Sequence, residues 1–203
     1  MTNNILYNDI WDSEQIEEAK KLAGPILIVG VSGFIGSKLY FSLKRIRDDV
    51  FGCSKIPKHN WRMIDVDKKH LLDVDITDYE SLRRIIDIIK PMTVFNLAAY
   101  GAYSRQTDSQ KIHRTNYMGT HNLIKVLLEY GCSAFVHAGS SSEYGVNCSA
   151  PKENDELIPN SDYAVSKTGA AYLIKYYGKF HSFPGVNLRL YSIFGPWEER
   201  DRL

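Results

Sequence analysis

Short apolar runs alternate along the chain with longer stretches in which apolar residues recur every three or four positions. The first run, Ile26 to Val29, is wholly aliphatic, as expected of a strand that is buried on both faces of a sheet. From Phe34 onward the apolar residues change to helical spacing, with Ile35, Leu39 and Leu43 along the helix. The pattern therefore predicts a strand, a tight turn and a helix, in that order.

The same alternation continues through the rest of the chain. It predicts further strands over 49–53, 71–76, 93–99, 134–138 and 186–191. It also predicts helices over 12–23, 109–130 and 161–180. A fourth helix is predicted between Thr77 or Asp78, either of which can cap it, and Pro91, which ends it. Because strands and helices alternate without a break, we expect the α/β class, with a doubly wound parallel sheet. The helix over 12–23 precedes the first strand, and residues 1–24 are interpreted as an N-terminal helical extension.

Glycine follows the first strand at once and recurs at a spacing of three, at Gly30, Gly33 and Gly36. The first glycine can make the sharp exit from the strand. The second has no side chain, so a ligand phosphate can approach the backbone, and the third lets the helix lie close to the strand. The amides and the dipole at the start of the helix attract negative charge. The spacing is not the usual Gly-x-Gly-x-x-Gly, but the strand before and the helix after favour a dinucleotide site over an ordinary β–α connection.

The end of the second predicted strand bears on which dinucleotide binds. In the dinucleotide fingerprint, an acidic residue about 20 positions after the glycines bonds the ribose 2′-hydroxyl. Here those positions hold Cys53, Ser54 and Lys55, with Lys58 and Arg62 beyond. The missing carboxylate and the nearby cations favour NADP, with its 2′-phosphate, over NAD, which stays possible. The alternative is that these lysines only form a solvated loop.

A phenol and an ammonium lie four residues apart at Tyr163 and Lys167, so they share one face of the predicted helix. A cation beside a phenol favours the phenolate and lowers the tyrosine pKa from about 10, which makes Tyr163 a candidate acid/base. Alone, such a pair is more often a surface tyrosine near a lysine. The serines over 140–142 add a second signal, because they follow a strand at the edge where open α/β sheets bind ligands. Their alternative role is a polar turn.

Motifs that are weak singly occur together in one order: Gly30-x-x-Gly33-x-x-Gly36, Asp75-Ile76, Asn96-Leu97-Ala98-Ala99, Asn116, Ser-Ser-Ser-x-Tyr144-Gly145, Tyr163-x-x-x-Lys167 and Arg189-x-x-x-x-x-Gly195-Pro196. As a set they resemble the extended short-chain dehydrogenase/reductase family, in its NAD(P)-dependent nucleotide-sugar epimerase and dehydratase group. The resemblance runs from about Pro25 to Trp197. It implies a Rossmann-type NAD(P)-binding domain over 25–203 that carries the catalytic serine, tyrosine and lysine. It also implies a nucleotide-sugar substrate and a homodimer.

The resemblance also implies roles for single residues. Asn116 would support the active site beside the cofactor. Lys167 would bond the nicotinamide ribose and lower the pKa of Tyr163. Tyr163 would move the proton while hydride passes to or from a sugar carbon. Ser140, four residues before the tyrosine of Tyr-Gly, would hold the substrate oxygen; Ser141 takes its place if one residue is missing there. The cofactor contacts implied are Gly30, Gly33, Phe34, Ile35 and Gly36 for the pyrophosphate, Ser54, Lys55, Asp75 and Ile76 for the adenosine, and Leu97, Ala98 and Ala99 for the nicotinamide-side ribose.

The departures from the family pattern narrow the expected reaction. Sugar dehydratases of this group carry Asp-Glu directly after the hydroxyl residue, whereas here Glu143 comes one place late. An epimerase or a keto-sugar reductase is therefore favoured over a dehydratase. Ser192 replaces an asparagine that usually contacts substrate, which leaves the sugar open. With 203 residues the chain is shorter than usual for the family, and the C-terminal substrate subdomain is expected to be largely absent.

Composition excludes some classes of function. The net charge of +1 gives no case for nucleic acid as a partner, and no apolar run approaches the ~20 residues of a membrane span. Three cysteines without Cys-x-x-Cys spacing favour a reduced, cytoplasmic protein. The histidines show no metal-ligand spacing, so no metal site is expected.

The alternative to an enzyme is a cofactor-sensing scaffold on the same fold. The presence of Tyr163 and Lys167 argues against this alternative.

Overall fold

The fold is described from a computed structural model, which covers residues 11–55, 57–64 and 66–199. Its parallel sheet has the strand order β3-β2-β1-β4-β5-β6, and each neighbouring pair of strands is parallel. This order reverses between β1 and β4, which is the point where open α/β sheets bind ligands. The strands are β1 (Ile26–Val29), β2 (Val50–Ser54), β3 (Leu71–Asp73), β4 (Thr93–Asn96), β5 (Ala134–Ser140) and β6 (Gly185–Leu190).

Helices cover both faces of the sheet, which confirms the predicted doubly wound α/β fold. On one face, Ile26 and Ile28 pack with Tyr40 and Leu43; on the other, Phe135 belongs to the core that the remaining long helices complete. No helix within the described ranges is both long and apolar enough to cross a bilayer. The helices are α1 (Ser13–Lys21), α2 (Phe34–Lys44), α3 (Tyr79–Ile89), α4 (Ser109–His113), a π-helical segment (Arg114–Met118), α5 (Gly119–Tyr130) and α6 (Asp162–His181).

Three elements differ most from the sequence-based prediction. The strand predicted over 71–76 ends at Asp73, and that predicted over 93–99 ends at Asn96. The chain beyond each strand lines the ligand crevice instead of continuing the ladder. The helix predicted over 109–130 is interrupted by the π-helical segment, a feature that is frequent at functional sites and that apolar periodicity does not reveal.

The N-terminal helix α1 is anchored to the sheet domain. Asp12 caps it, in a capping box with Gln15. Arg47 donates hydrogen bonds to the carbonyl oxygens that end it, including that of Ala19 at 3.2 Å. The side chain of Ala19 is buried in the core against β1. Residues 1–10 of the predicted extension lie outside the described residues, and the domain boundary at residue 24 stays a prediction.

Candidate active site

Two cavities meet at the point where the strand order reverses, between β1 and β4. They have volumes of about 320 and 310 Å³. We name them the catalytic cavity, which contains Tyr163 and Lys167, and the adenosine cavity, which contains Ser54 and Asp75. Because the two share lining residues, one elongated ligand can occupy both. The shared residues are Gly33, Leu97 and Ala99.

The glycine turn brings the backbone to the floor of both cavities. Gly30 has a φ of +84°, and a Cβ there would lie 2.6 Å from the backbone nitrogen of Ala98. A Cβ on Gly36 would lie 2.2 Å from the carbonyl oxygen of Gly30, so only glycine lets α2 pack this closely. Gly33 is the N-cap of α2 and supplies no side-chain hydrogen bond. The first amides of α2 therefore have no side-chain cap and lie where an anion would bind.

The adenosine cavity places a carboxylate beside the cation that the sequence suggested. The Lys55 ammonium lies 2.6 Å from the Asp75 carboxylate. Burial raises the pKa of Asp75, but hydrogen bonds from Lys55 and Thr77 outweigh burial and leave that pKa below its usual value. The Ser54 hydroxyl lies 2.8 Å from that of Ser32. The end of β2 thus presents hydroxyl groups and an ion pair rather than an isolated positive charge.

Lys167 lies almost completely buried beneath the catalytic cavity, with 2% of its surface exposed. Its ammonium donates a 2.6 Å hydrogen bond to the carbonyl oxygen of Ala138 on β5. Burial lowers the pKa of Lys167 to about 8, although the nearby Glu143 carboxylate opposes this shift. Tyr163 lines the same cavity one helical turn earlier, together with Gly33 of the glycine turn. The structure therefore brings together the glycine turn and the tyrosine–lysine pair, which lie far apart in the sequence.

The serines after β5 also line the catalytic cavity. Ser140 is the last residue of β5, is buried, and accepts a hydrogen bond from the amide of Ser142 at 3.1 Å. Ser141 lies beside it and is less buried. Because both serines line the cavity that contains Tyr163, the choice between Ser140 and Ser141 as the substrate-binding hydroxyl stays open.

Asn116 lies in the π-helical segment and lines neither cavity. Its amide nitrogen donates to the carbonyl oxygen of Tyr100 at 2.8 Å and to the hydroxyl of Ser166 at 2.9 Å. Its amide oxygen accepts from the backbone nitrogen of Tyr100 at 2.8 Å. Asn116 therefore joins the loop after β4 to α6, the helix that carries Tyr163 and Lys167. The other predicted site residues all line one or both cavities.

The structure also corrects one suggested cation and adds residues that the motifs did not identify. Arg62 is buried, and its guanidinium donates to the carbonyl oxygen of Trp197 at 2.8 Å, so it does not serve the adenosine cavity. Lys111 and Thr115 line that cavity from α4 and the segment after it. Their place in the helix that follows β4 was the only sequence signal for them. Lys58 has no described side chain, so its suggested role stays a prediction.

Comparisons with known proteins give the family and the fold of the chain. The family model described as "NAD dependent epimerase/dehydratase family" matches residues 26–203. UDP-glucuronate 4-epimerase 4 of Arabidopsis thaliana is 28% identical over 189 residues, which cover 87% of this chain and 43% of that protein. The structure of epimerase Mth375 from Methanothermobacter thermautotrophicus superposes with a TM-score of 0.79 at 24% identity, covering 89% of this chain and 55% of that one.

A UDP-glucose 4-epimerase of Thermus thermophilus, solved as a complex with NAD, is also similar. It superposes with a TM-score of 0.73 at 25% identity and covers 81% of this chain and 54% of that one. The chain thus spans about half the length of the relatives that it matches.

Proposed function

The chain belongs to the NAD dependent epimerase/dehydratase family, and from this premise we propose that the intact protein is an enzyme that epimerises or reduces a nucleotide sugar. The proposal rests above all on one observation. Tyr163 and Lys167 line the same cavity as the uncapped start of α2, where a dinucleotide phosphate would bind. The relative that was solved with NAD is itself a nucleotide-sugar epimerase, which supports the proposed cofactor and substrate class.

In this proposal each residue has a separate task. The nicotinamide of the bound cofactor supplies or accepts a hydride. Tyr163 takes the proton from the sugar hydroxyl that is oxidised and returns it on reduction. The Lys167 ammonium favours the phenolate of Tyr163 and donates to the cofactor ribose. Ser140 or Ser141 binds the reacting oxygen and so holds the sugar carbon in position for hydride transfer.

The environment of Glu143 argues against a dehydratase. A dehydratase needs a carboxyl group that reaches the sugar, and Glu143 is 0% exposed. Its carboxylate already accepts hydrogen bonds from Ser140, Asn187 and Arg189. An epimerase or a keto-sugar reductase needs only the tyrosine, the lysine and a hydroxyl group, all of which line the catalytic cavity.

The test is turnover by the intact protein. We expect it, with added NAD, to convert at least one UDP- or dTDP-linked hexose or hexuronic acid to its C4 epimer, or to reduce a 4-keto nucleotide sugar with NADH. Product analysis by liquid chromatography and mass spectrometry, with NMR for stereochemistry, gives the result. Binding of NAD without conversion of any sugar in the panel would instead support a cofactor-sensing scaffold.

We propose NAD rather than NADP as the cofactor, because Lys55 is paired with Asp75 and the ionised Asp75 would repel a 2′-phosphate. Titration of the intact protein should give an NADH affinity about tenfold above that for NADPH, the effect of one nearby like charge. Asp75→Asn should lower the ratio of NADH affinity to NADPH affinity, because it removes the negative charge and leaves the Lys55 ammonium able to bind the 2′-phosphate. Asp73→Asn, which removes an exposed carboxylate at the end of β3, is the control and should leave the ratio unchanged.

Tighter binding of NADPH than of NADH by the unaltered protein would contradict this assignment and support the sequence-based expectation of NADP. The ratio decides the point even if the absolute affinities are modest, because both cofactors share every contact except that at the adenosine ribose.

A homodimer stays a prediction of the family resemblance. The supporting observation is a row of exposed aromatic side chains on α6, at Tyr172, Tyr176 and Phe180, which recur at helical spacing. Such a row is suited to packing against a second copy of the same helix.

A further inference from the structure

Glu143 is a carboxylate buried at the end of β5 with all its polar contacts inside the protein. It accepts a hydrogen bond from the amide of Ser140 at 2.8 Å and from the side chain of Asn187 at 3.1 and 3.2 Å. The guanidinium of Arg189 donates to it at 2.9 Å. A Cβ on Gly139 would lie 2.5 Å from its Oε1, so the carboxylate lies directly against the backbone that leads to Ser140.

Arg189 extends this contact to the next loop. Its guanidinium also donates to the hydroxyl of Tyr144 at 3.0 Å and to the carbonyl oxygen of Glu153 at 2.8 Å. One carboxylate therefore connects β5, β6 and, through Arg189, the loop that follows β5. If the charge of Glu143 is removed, the mostly buried Arg189 guanidinium loses its carboxylate partner.

The stretch from Ala138 to Ser140 is held from two sides. Lys167 donates to the carbonyl oxygen of Ala138, and Glu143 accepts from the amide of Ser140. Within the described part of the chain, Lys167 makes no ion pair with any carboxylate, yet Glu143 lies near enough to raise its pKa. Both groups thus act on the same short segment, and their opposite charges stabilise one another through it.

We propose that Glu143 is a positioning residue, whose buried carboxylate fixes the peptide that carries Ser140 and places a negative charge beside the short segment to which the buried Lys167 ammonium donates. The catalytic meaning of this role rests on the proposed function, in which Ser140 and Lys167 act on substrate and cofactor. The contacts themselves do not depend on it.

The other titratable groups near Lys167 do not replace this charge. Tyr163 lies one turn earlier on the same face of α6 and carries no carboxylate. His137 on β5 is completely buried, and burial and then Lys167 hold its pKa well below its usual range, so it stays neutral. Arg189, on β6, is positive and pairs with Glu143 itself. Glu143 is therefore the carboxylate that opposes the effect of burial on Lys167.

The test measures the protonation of Lys167 directly. The intact protein, labelled with ¹³C at the lysine side chains, is titrated by NMR, and the Lys167 signal is assigned by its loss in Lys167→Arg. Glu143→Gln keeps an acceptor for the Ser140 amide but removes the charge. We expect the Lys167 midpoint to fall by about one pH unit, the usual effect of a nearby charge. Glu153→Gln, at an exposed side chain in the adjoining loop, should leave the midpoint unchanged.

Two further variants complete the test. If Glu143→Gln does not fold, Glu143→Gln combined with Arg189→Gln is compared with Arg189→Gln alone, so that only the charge of residue 143 differs, and the Lys167 midpoint should be lower in the double variant. Glu143→Asp keeps the charge but shortens the reach to Ser140, so it should keep the midpoint and lower kcat about tenfold, with little change in KM. A Lys167 midpoint that is the same with and without the charge of residue 143, in either comparison, would overturn the proposal. Because this midpoint is measured without substrate, it is independent of whether the proposed reaction is correct.

Discussion

Replacement of Tyr163 by phenylalanine should lower kcat by a factor of about 10²–10⁴, the usual contribution of a positioned acid/base. The ring remains and only the hydroxyl is lost, so the packing of the cavity wall is kept. Since the cofactor is proposed to be held by the glycine turn and by Lys167, the NADH affinity should stay within about twofold. The measurement combines steady-state turnover of the sugar identified as substrate with a fluorescence titration of NADH.

Tyr172→Phe is the matched control for this prediction. It removes the same hydroxyl from an exposed tyrosine on the same helix, and it should leave both kcat and NADH affinity unchanged. Equal turnover by the unaltered protein and by Tyr163→Phe would exclude Tyr163 as the acid/base. A large loss of NADH affinity in Tyr163→Phe would show instead that the hydroxyl mainly binds cofactor.

Replacement of Gly30 by alanine should destabilise the protein more than the same change at Gly131. Both glycines have a φ of +84°, so alanine is strained at either position, at a cost of about 1–3 kcal/mol. At Gly131 nothing lies within 4 Å of the added Cβ, whereas at Gly30 the Cβ would meet the backbone of Leu97 and Ala98. The clash should add about 1–3 kcal/mol to the loss of unfolding free energy.

Urea unfolding of the intact protein and its two variants gives the comparison. The Gly30→Ala variant should also bind NADH more weakly, because the chain after β1 must move away from Leu97 and Ala98, which line the cavities. The Gly131→Ala variant should keep its NADH affinity, since Gly131 follows α5 and lies outside both cavities. Equal unfolding losses in the two variants would mean that the backbone near Ala98 moves aside easily, and that Gly30 is required only for its φ.

The fold and the tyrosine–lysine pair are accessible from sequence because they depend on local patterns. The aliphatic run at Ile26–Val29 predicts a buried strand wherever it occurs. Tyr163 and Lys167 share a helix face by spacing alone. The glycine turn is equally local, because the strand–turn–helix pattern alone predicts that Gly30 and Gly36 must lack a side chain.

The support of the site could not be predicted in the same way. Asn116 bonds Tyr100 and Ser166, which lie 16 and 50 residues away, through a π-helical segment that interrupts an otherwise regular apolar pattern. Arg62 was suggested as a cation for the cofactor, but its partner is the carbonyl oxygen of Trp197, 135 residues further along the chain. No spacing rule connects such positions.

The sequence by itself determined the parallel α/β architecture, the glycine turn and the tyrosine–lysine pair, since each is predicted by a pattern of residues that lie close along the chain. Only the tertiary structure decided how the charges are distributed. It paired Lys55 with Asp75, buried Lys167, and placed Glu143 with Arg189 beneath the end of β5. The strength and the sign of an electrostatic effect depend on distance and on exposure to water, and both are set by how strands and helices pack.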